Sequence, residues 1–324
     1  MGNTYSEKIY VGIDISKDFF DAALPVKATW HHLKLCNNKT GFRQLLQALQ
    51  AFDAVVCVME ASGPYYLELA GFLHQAGIEV SVVNPLAVRR FCQMRLSRAK
   101  TDKKDAVMIA AYGQAEKPKL WEPAAGHVLA LKQLQTVAEG LQRSHHRHSR
   151  QLESLRAGGK VNHQAEKSLQ RMIRQAKEEL DKVEAQLDKL IAEHHCQQFE
   201  QLKSIPGLGR KSSMLLLLIT GGFSKFVHYK QLISYVGLSP RIYQSGSSVK
   251  GKARICKMGM SQVRKVLYVC SWSAIKCNKA CRELYERLLA RGKAKRLALV
   301  AVANKLLKQA FAVVTKGEFY FEKS

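Results

Sequence analysis

The sequence predicts a mixed α/β domain followed by a long helical region, and three observations carry that expectation. KIYVGIDIS alternates apolar residues, with Ile9, Val11 and Ile13 on one face. AVVCVME is a short uninterrupted apolar run, suited to a strand buried on both faces. From about residue 124 the alternation stops, and apolar residues recur three and four apart.

Taken in order, the first strand meets a charged turn at Lys17-Asp18, FFDAALP can return as its hairpin partner, and HHLKLCN supplies a third strand. GFRQLLQALQAF has helical periodicity, and AVVCVME follows as the central strand. A helix over 65–76 leads to the strand IEVSVVNP, where Pro85 ends the strand and can open the next helix. The order βββαβαβα suits a mixed sheet covered by helices. HVLALKQLQTVAEGLQRSHHRHSRQLESL reads as one long helix, broken at Gly158-Gly159. A second follows with Leu169, Ile173, Ala176, Leu180, Val183, Leu187 and Leu190 spaced as a heptad seam, either folded back on the first helix or paired between subunits. SIPGLGRKSSMLLLLI resembles a helix-hairpin-helix element. Gly207, Gly209 and Arg210 stand at its turn, where free backbone N–H groups can cradle a phosphate. The expected division is 1–122, 123–200 and 201–324.

The 324 residues carry a formal net charge of +25, placed unevenly. Residues 201–324 hold 24 Lys and Arg against 4 Asp and Glu, a net of +20, whereas residues 1–200 carry only +5. Such a C-terminal third points to a polyanion, most simply nucleic acid. An anionic membrane surface competes through the stretch Leu284 to Lys308, but no run of about 18 uncharged apolar residues predicts a span. The N-terminus lacks a secretory signal; its Met-Gly with Ser6 meets the formal pattern for myristoylation and nothing more. Eight cysteines without a CxxC pair argue against a zinc ribbon and for free thiols in a reducing bacterial or archaeal cytoplasm.

Chemistry gathers in two places. Asp14 ends the first strand and Glu60 ends the central one, where ligand sites collect in α/β sheets. Asp102 and Asp105 in KTDKKDA share a helix face. Singly each aspartate has an ordinary role: Asp14 in a turn, Asp102 capping a helix, Asp105 paired with Lys100 or Lys104; Glu60, at the end of an apolar run, is harder to assign one. Together four carboxylates would repel unless a hard divalent cation, Mg2+ or Mn2+, neutralised them, and two such ions can clamp a phosphodiester. The second place is YQSGSSVKGKARICK, where Ser245, Ser247 and Ser248 precede Lys250, Lys252, Arg254 and Lys257. By composition this is a flexible basic loop that grips backbone phosphates. HHRH at 145–148 reads as a basic face for RNA or DNA, and Trp30, Trp121 and Trp272 as core or loop anchors rather than base-stacking platforms. Tyr65 and Tyr66 could line the acidic site, with at least one packed in the core.

The blocks YVGIDISKD, VMEASGPYY, VNP, KTDKKDA, SIPGLG, YVGLSPRIYQSGSSVKGKARICKMG and VRKVLY resemble, in order and spacing over nearly the whole chain, the DEDD-type insertion-sequence transposases related to Piv-like DNA invertases. That resemblance implies a RuvC-like, RNase H-type N-terminal domain with the tetrad Asp14, Glu60, Asp102 and Asp105, a central coiled coil and a helical C-terminal transposase domain. It further implies Ser245 as a nucleophile that becomes joined to DNA, donor and target DNA as substrates, and a bridge RNA as guide. Because Asp102 and Ser245 stand far apart in the sequence, a complete site calls for domain closure or for a serine donated by another subunit, and a dimer or tetramer with composite sites is expected. Three alternatives remain: a RuvC-like junction-resolving endonuclease using metal-activated water, an actin-like sugar kinase, for which no second phosphate loop is found, and a non-catalytic DNA-binding remnant.

Overall fold

Residues 8–27, 29–96, 101–241, 244–245, 249–250 and 254–322 are described in a computed structural model of the chain. It separates into two compact units, Met1–Ala124 and Ala125–Ser324.

The first unit is built on a five-stranded sheet. Its strands are β1 (Ile9–Ile15), β2 (Phe19–Val26), β3 (Thr29–Cys36), β4 (Val55–Glu60) and β5 (Glu79–Val83), in the order β3-β2-β1-β4-β5. β1, β2 and β3 form an antiparallel meander, and β1, β4 and β5 run parallel. The helices are α1 (Lys39–Leu49), α2 (Leu67–Gln75), α3 (Pro85–Met94) and α4 (Asp102–Glu116). Each expected element is present, and β1 occupies the centre.

Alternation along β1 assigns its two faces. Val11 and Ile13 join Phe20, Leu24, Cys57 and Met59 in a core closed by Phe42 and Leu45 of α1 and Leu69 and Leu73 of α2. On the opposite face Val56, Val58 and Val83 pack with Val88 of α3 and Ile109 of α4. Helix starts follow local chemistry. The Asn38 Oδ1 accepts from Thr40 N and Gly41 N at 3.1 Å each, and Asn84 caps α3, which has Pro85 in its first turn. After α4 the chain returns along the β5 edge, where Trp121 N donates to Val80 O at 2.7 Å. Trp121 packs on the core, as a core anchor should.

The second unit begins with α5 (Gly126–Ala157) and α6 (His163–Lys203), joined by the short turn that contains Gly158 and Gly159. They lie antiparallel: Arg156 pairs with Glu166 at 2.6 Å near the turn, and the His127 and His194 rings stack at 4.2 Å at the far end. The heptad seam is therefore satisfied within the chain. Leu169, Ala176, Leu180 and Leu187 are buried, and Leu131 and Ala138 of α5 share a cluster with Leu180 and Leu187. His195 departs from helical geometry and kinks α6. The helices that follow are α7 (Arg210–Thr220), α8 (Tyr229–Val236), α9 (Ser261–Cys277), α10 (Lys279–Ala290) and α11 (Lys295–Lys316). α7 is buried from Ser212 to Thr220, which accounts for its unpatterned LLLLI. Its Met214 and Leu218 pack with the α5–α6 hairpin, and its Leu215, Leu216 and Leu217 with α8, α9 and α11.

By length and composition alone α11 could cross a membrane, although Lys305 and Lys308 interrupt it and no run of about 18 uncharged apolar residues occurs. Here Ala298, Leu299, Val302, Ala303, Leu306, Leu307 and Ala310 form one buried row, so its apolar length is that of the unit's central helix. Between α8 and α9 the chain makes a nested antiparallel hairpin. β6 (Pro240–Arg241) pairs with β9 (Arg254–Ile255), and inside them β7 (Gln244–Ser245) pairs with β8 (Val249–Lys250).

Candidate active site

The four acids lie on the face of the sheet covered by α4. On β1, Tyr10, Gly12 and Asp14 point away from the Val11–Ile13 core. Ile13 pairs with Met59, so one residue further the parallel register sets Glu60 beside Asp14. α4 can settle on this face because β1 has no side chain at Gly12: a methyl group there would collide with Ala106 O and Ala110 N. Gly113, two turns on, gives the same freedom against Val58 and Tyr10. Thr101 caps the helix by accepting from Lys104 N at 3.3 Å, so Asp102 is not the capping residue. Asp102 and Asp105 occupy the first turn, where the helix dipole favours carboxylates.

Asp14 is the centre of this arrangement. Its pKa is raised from 3.8 to about 6, first by burial and then by the charges of Asp105, Asp102, Glu60 and Asp21. Each of the other predicted acids therefore acts electrostatically on Asp14. Ser62 Oγ donates to Glu60 Oε1 at 3.0 Å and orients that carboxylate. Cys92 of α3 faces the same group; its thiol is pushed up, first by burial and then by Asp105 and Glu60.

Asp21 is a fifth acid of this group, not among those expected from the sequence. It sits directly opposite Asp14 in the β1–β2 pair and is buried. Burial raises its pKa, Lys34 on the neighbouring strand opposes that rise, and Asp102 adds to it. Finding it needs the hairpin register, since FFDAALP alone reads as an ordinary amphipathic strand. Of the two tyrosines after Glu60, Tyr66 packs on the core and Tyr65 is exposed.

The donor set is all carboxylate, the chemistry that suits Mg2+ or Mn2+, and a divalent cation would offset the like charges that face Asp14. The acids do not form a ready-made coordination shell. Among the described residues no three His, Cys, Asp or Glu side chains are close enough to hold an ion as placed.

In the second unit Ser245 and Lys250 belong to the inner ladder, where Ser245 pairs with Val249 and Lys250 with Gln244. Lys252 lies outside the described residues, as do Ser247 and Ser248. Arg254 is exposed on β9 and stands directly opposite exposed Arg241, which the sequence reading did not single out. Like charges placed opposite each other on a ladder are unfavourable unless an anion lies nearby. Lys257 is exposed and has φ +59°.

The glycine turn is more structural than expected. Gly207 has φ +102°, and a methyl group there would meet Ala274 at 2.6 Å, so glycine is required for packing. Gly209 starts α7, and its N–H donates to Ser212 Oγ at 2.9 Å. Arg210 turns toward α6: its Nε and Nη2 donate to the Asp188 carboxylate at 2.9 and 2.7 Å, and Nη1 to Glu184 Oε2 at 3.3 Å. This bidentate pair ties α7 to the hairpin. Arg210→Gln is expected to lower stability by about 1 kcal/mol and to leave the salt dependence of DNA binding unchanged. A slope reduced by about one would return Arg210 to phosphate contact.

Comparison with known proteins agrees with this layout over both units. Residues 11–156 match a transposase family model of the DEDD type (IS110), and residues 199–286 match that of the transposase IS116/IS110/IS902 family. Pilin gene-inverting proteins of Moraxella lacunata and Moraxella bovis are each 32% identical over 324 residues, covering 96% of this chain and 97% of theirs. An insertion element IS110 protein of Streptomyces coelicolor, uncharacterized and of 43.6 kDa, is 30% identical over 138 residues, 43% of this chain and 33% of that protein. The mixed sheet with its acid-bearing strand ends is consistent with an RNase H-like DEDD domain, and the chain belongs to the IS110 family of transposases, together with the pilin gene-inverting proteins.

Proposed function

We propose that the protein is a Mg2+-dependent DNA recombinase of a mobile element that cuts and rejoins donor and target DNA through a phosphoserine at Ser245, guided by a structured bridge RNA. The observation that carries this reading is geometric: the β1–β4 register sets Glu60 beside Asp14, and Gly12 lets α4 settle on the same face with Asp102 and Asp105 in its first turn; the direction of the Asp14 pKa shift agrees with it. Asp14, Glu60, Asp102 and Asp105 would hold the ions. Bound there, a divalent pair supplies Lewis-acid polarisation of the phosphodiester and lowers the pKa of a coordinated hydroxyl.

The protein's own groups do the rest. The Ser245 hydroxyl attacks phosphorus, a bond to one sugar oxygen breaks, and that oxygen leaves with the proton. One phosphodiester replaces another, so a free sugar hydroxyl can reverse the step on a new partner without ATP. Arg254, Arg241, Lys250, Lys252 and Lys257 surround the serine in sequence and offset the charge of the pentavalent transition state. The reaction requires the carboxylates and the serine to meet at one phosphodiester. An oligomer, dimer or tetramer, in which subunits share these groups satisfies that need.

The test is a denaturing gel of end-labelled DNA incubated with protein, RNA and Mg2+, beside Ser245→Ala. A protein–DNA adduct that is abolished in the variant is the expected result. Cutting without an adduct, retained in Ser245→Ala, would instead establish a nuclease that activates water with the same acids. Full activity on purified DNA without RNA would remove the guide from the proposal.

A further inference from the structure

α9 presents an outer face that its packing leaves free. Val263, Leu267, Ser271 and Ala274 turn inward and are buried. Lys265, Val269, Trp272 and Lys276 follow at spacings of four, three and four, which places them on one narrow stripe. All four are exposed; Trp272 retains 48% of its accessible surface and Val269 68%. The expectation that Trp272 is a core or loop anchor is thereby overturned. The helical phase that buries Leu267 and Ala274 carries Trp272 outward.

The indole and the valine, one turn apart, give the stripe a small apolar centre that a flat partner can cover. The flanking charges indicate what that is. α9 contains Arg264, Lys265 and Lys276 and no acid. Among the described residues, neither Lys265 nor Lys276 has an ion-pair partner. A second copy of a chain with net charge +25 would set cations against cations here. A nucleic-acid strand offers the complement: phosphates for the two lysines and the face of a base for the indole. Lysine–aromatic–lysine spacing on about 16 Å of helix suits a strand running along the stripe with one base stacked at its middle. Bases inside a duplex hide their faces, so the base must be unpaired.

We infer that the Lys265–Val269–Trp272–Lys276 face of α9 is a stacking platform for an unpaired nucleotide of a bound strand, with Trp272 as the stacking ring and the lysines as phosphate contacts. This rests on the reading of the protein as one that acts on nucleic acid, and adds a site apart from the acids and Ser245. The occupant is a displaced single strand of DNA, since the family to which the chain belongs acts on DNA.

The test measures affinities of the full chain for labelled single-stranded DNA, single-stranded RNA and duplex DNA of one sequence, with Trp272→Ala, Trp272→Phe and Lys265→Gln/Lys276→Gln. Trp272→Ala is expected to weaken single-strand binding by about 5- to 100-fold, the range of one base–aromatic stack. Trp272→Phe should recover most of the loss, and duplex affinity should change less than about twofold. The double lysine variant should flatten the salt slope for single strands by about two. A loss in Trp272→Ala confined to the RNA strand, with single-stranded DNA binding unchanged, overturns the assignment to a DNA strand. Equal single-strand binding by wild type and Trp272→Ala overturns the inference, as does an equal loss on duplex. So does a change in self-association with strand affinity intact, which would assign the stripe to a second copy. If wild-type protein binds duplex but no single strand, the platform fails and the recombinase reading stands. If it binds neither, both fail.

Discussion

Gly12→Ala is expected to destabilise the N-terminal unit by about 3 kcal/mol, the upper end for overpacking, although it adds a single methyl group. The methyl would collide with the backbone at Ala106 and Ala110, and helix backbone cannot rotate away as a side chain can. α4 must lift from β1, and Ile109 and Ala110 lose their buried contacts. The same displacement moves Asp102 and Asp105 relative to Asp14, so strand cleavage should fall with stability. Gly71→Ala is the matched control. It lies in α2 with nothing within 4 Å of the added carbon, and should stabilise by roughly 0.5–1 kcal/mol through helix propensity alone. Hydrogen exchange at β1 and β4 amides reads the two variants side by side. Equal protection in both would disprove the close seating of α4.

Asp14→Asn should separate function from stability. Activity is expected to fall by more than about a hundredfold, since even outer-shell partners of metal ligands are worth 10–100-fold. Stability in EDTA should move the other way. Folded protein holds the Asp14 proton up to about pH 6, whereas the unfolded chain releases it near 3.8. Between those values the unfolded state binds fewer protons, so Asp14 makes the wild type less stable as pH rises. Below pH 3.8 the carboxyl is neutral in both states and contributes nothing; above pH 6 the penalty is constant. Asparagine cannot ionise. The variant should therefore melt with the wild type at pH 3 and several degrees above it at pH 8. Thermal melts at the two pH values check this, and a variant that melts lower at pH 8 would show that the acids do not burden Asp14. Added Mg2+ should narrow the gap at pH 8 by raising the wild type alone.

The strands and early helices were legible because each carries its own period or punctuation. Val11 and Ile13 alternate, Pro85 follows Asn84, and Gly158-Gly159 interrupts two long seams. What could not be read depends on residues far apart in the chain. Asp21 becomes part of the acidic group only through its register with Asp14. Arg210 looked like a phosphate ligand because its partners, Asp188 and Glu184, lie more than twenty residues upstream on another helix. Arg241 and Arg254 face each other only once β6 and β9 pair. Whether the heptad seam closed within the chain turned on geometry at the turn, not on the seam, which is equally apolar either way. Trp272 was misjudged for a simpler reason. Tryptophan is usually enclosed, and only the inward phase of Leu267 and Ala274 shows that this one is not.

Because the α5–α6 arm is a seam of repeating layers closed by a small turn, its reach can change without redesign of its root. Seven residues added to each helix at matching depth would preserve every layer and extend the arm by about 10 Å; other increments would rotate one flank out of phase. The hairpin's length can thus change in whole heptads, leaving the fixed end where Met214 and Leu218 seat it.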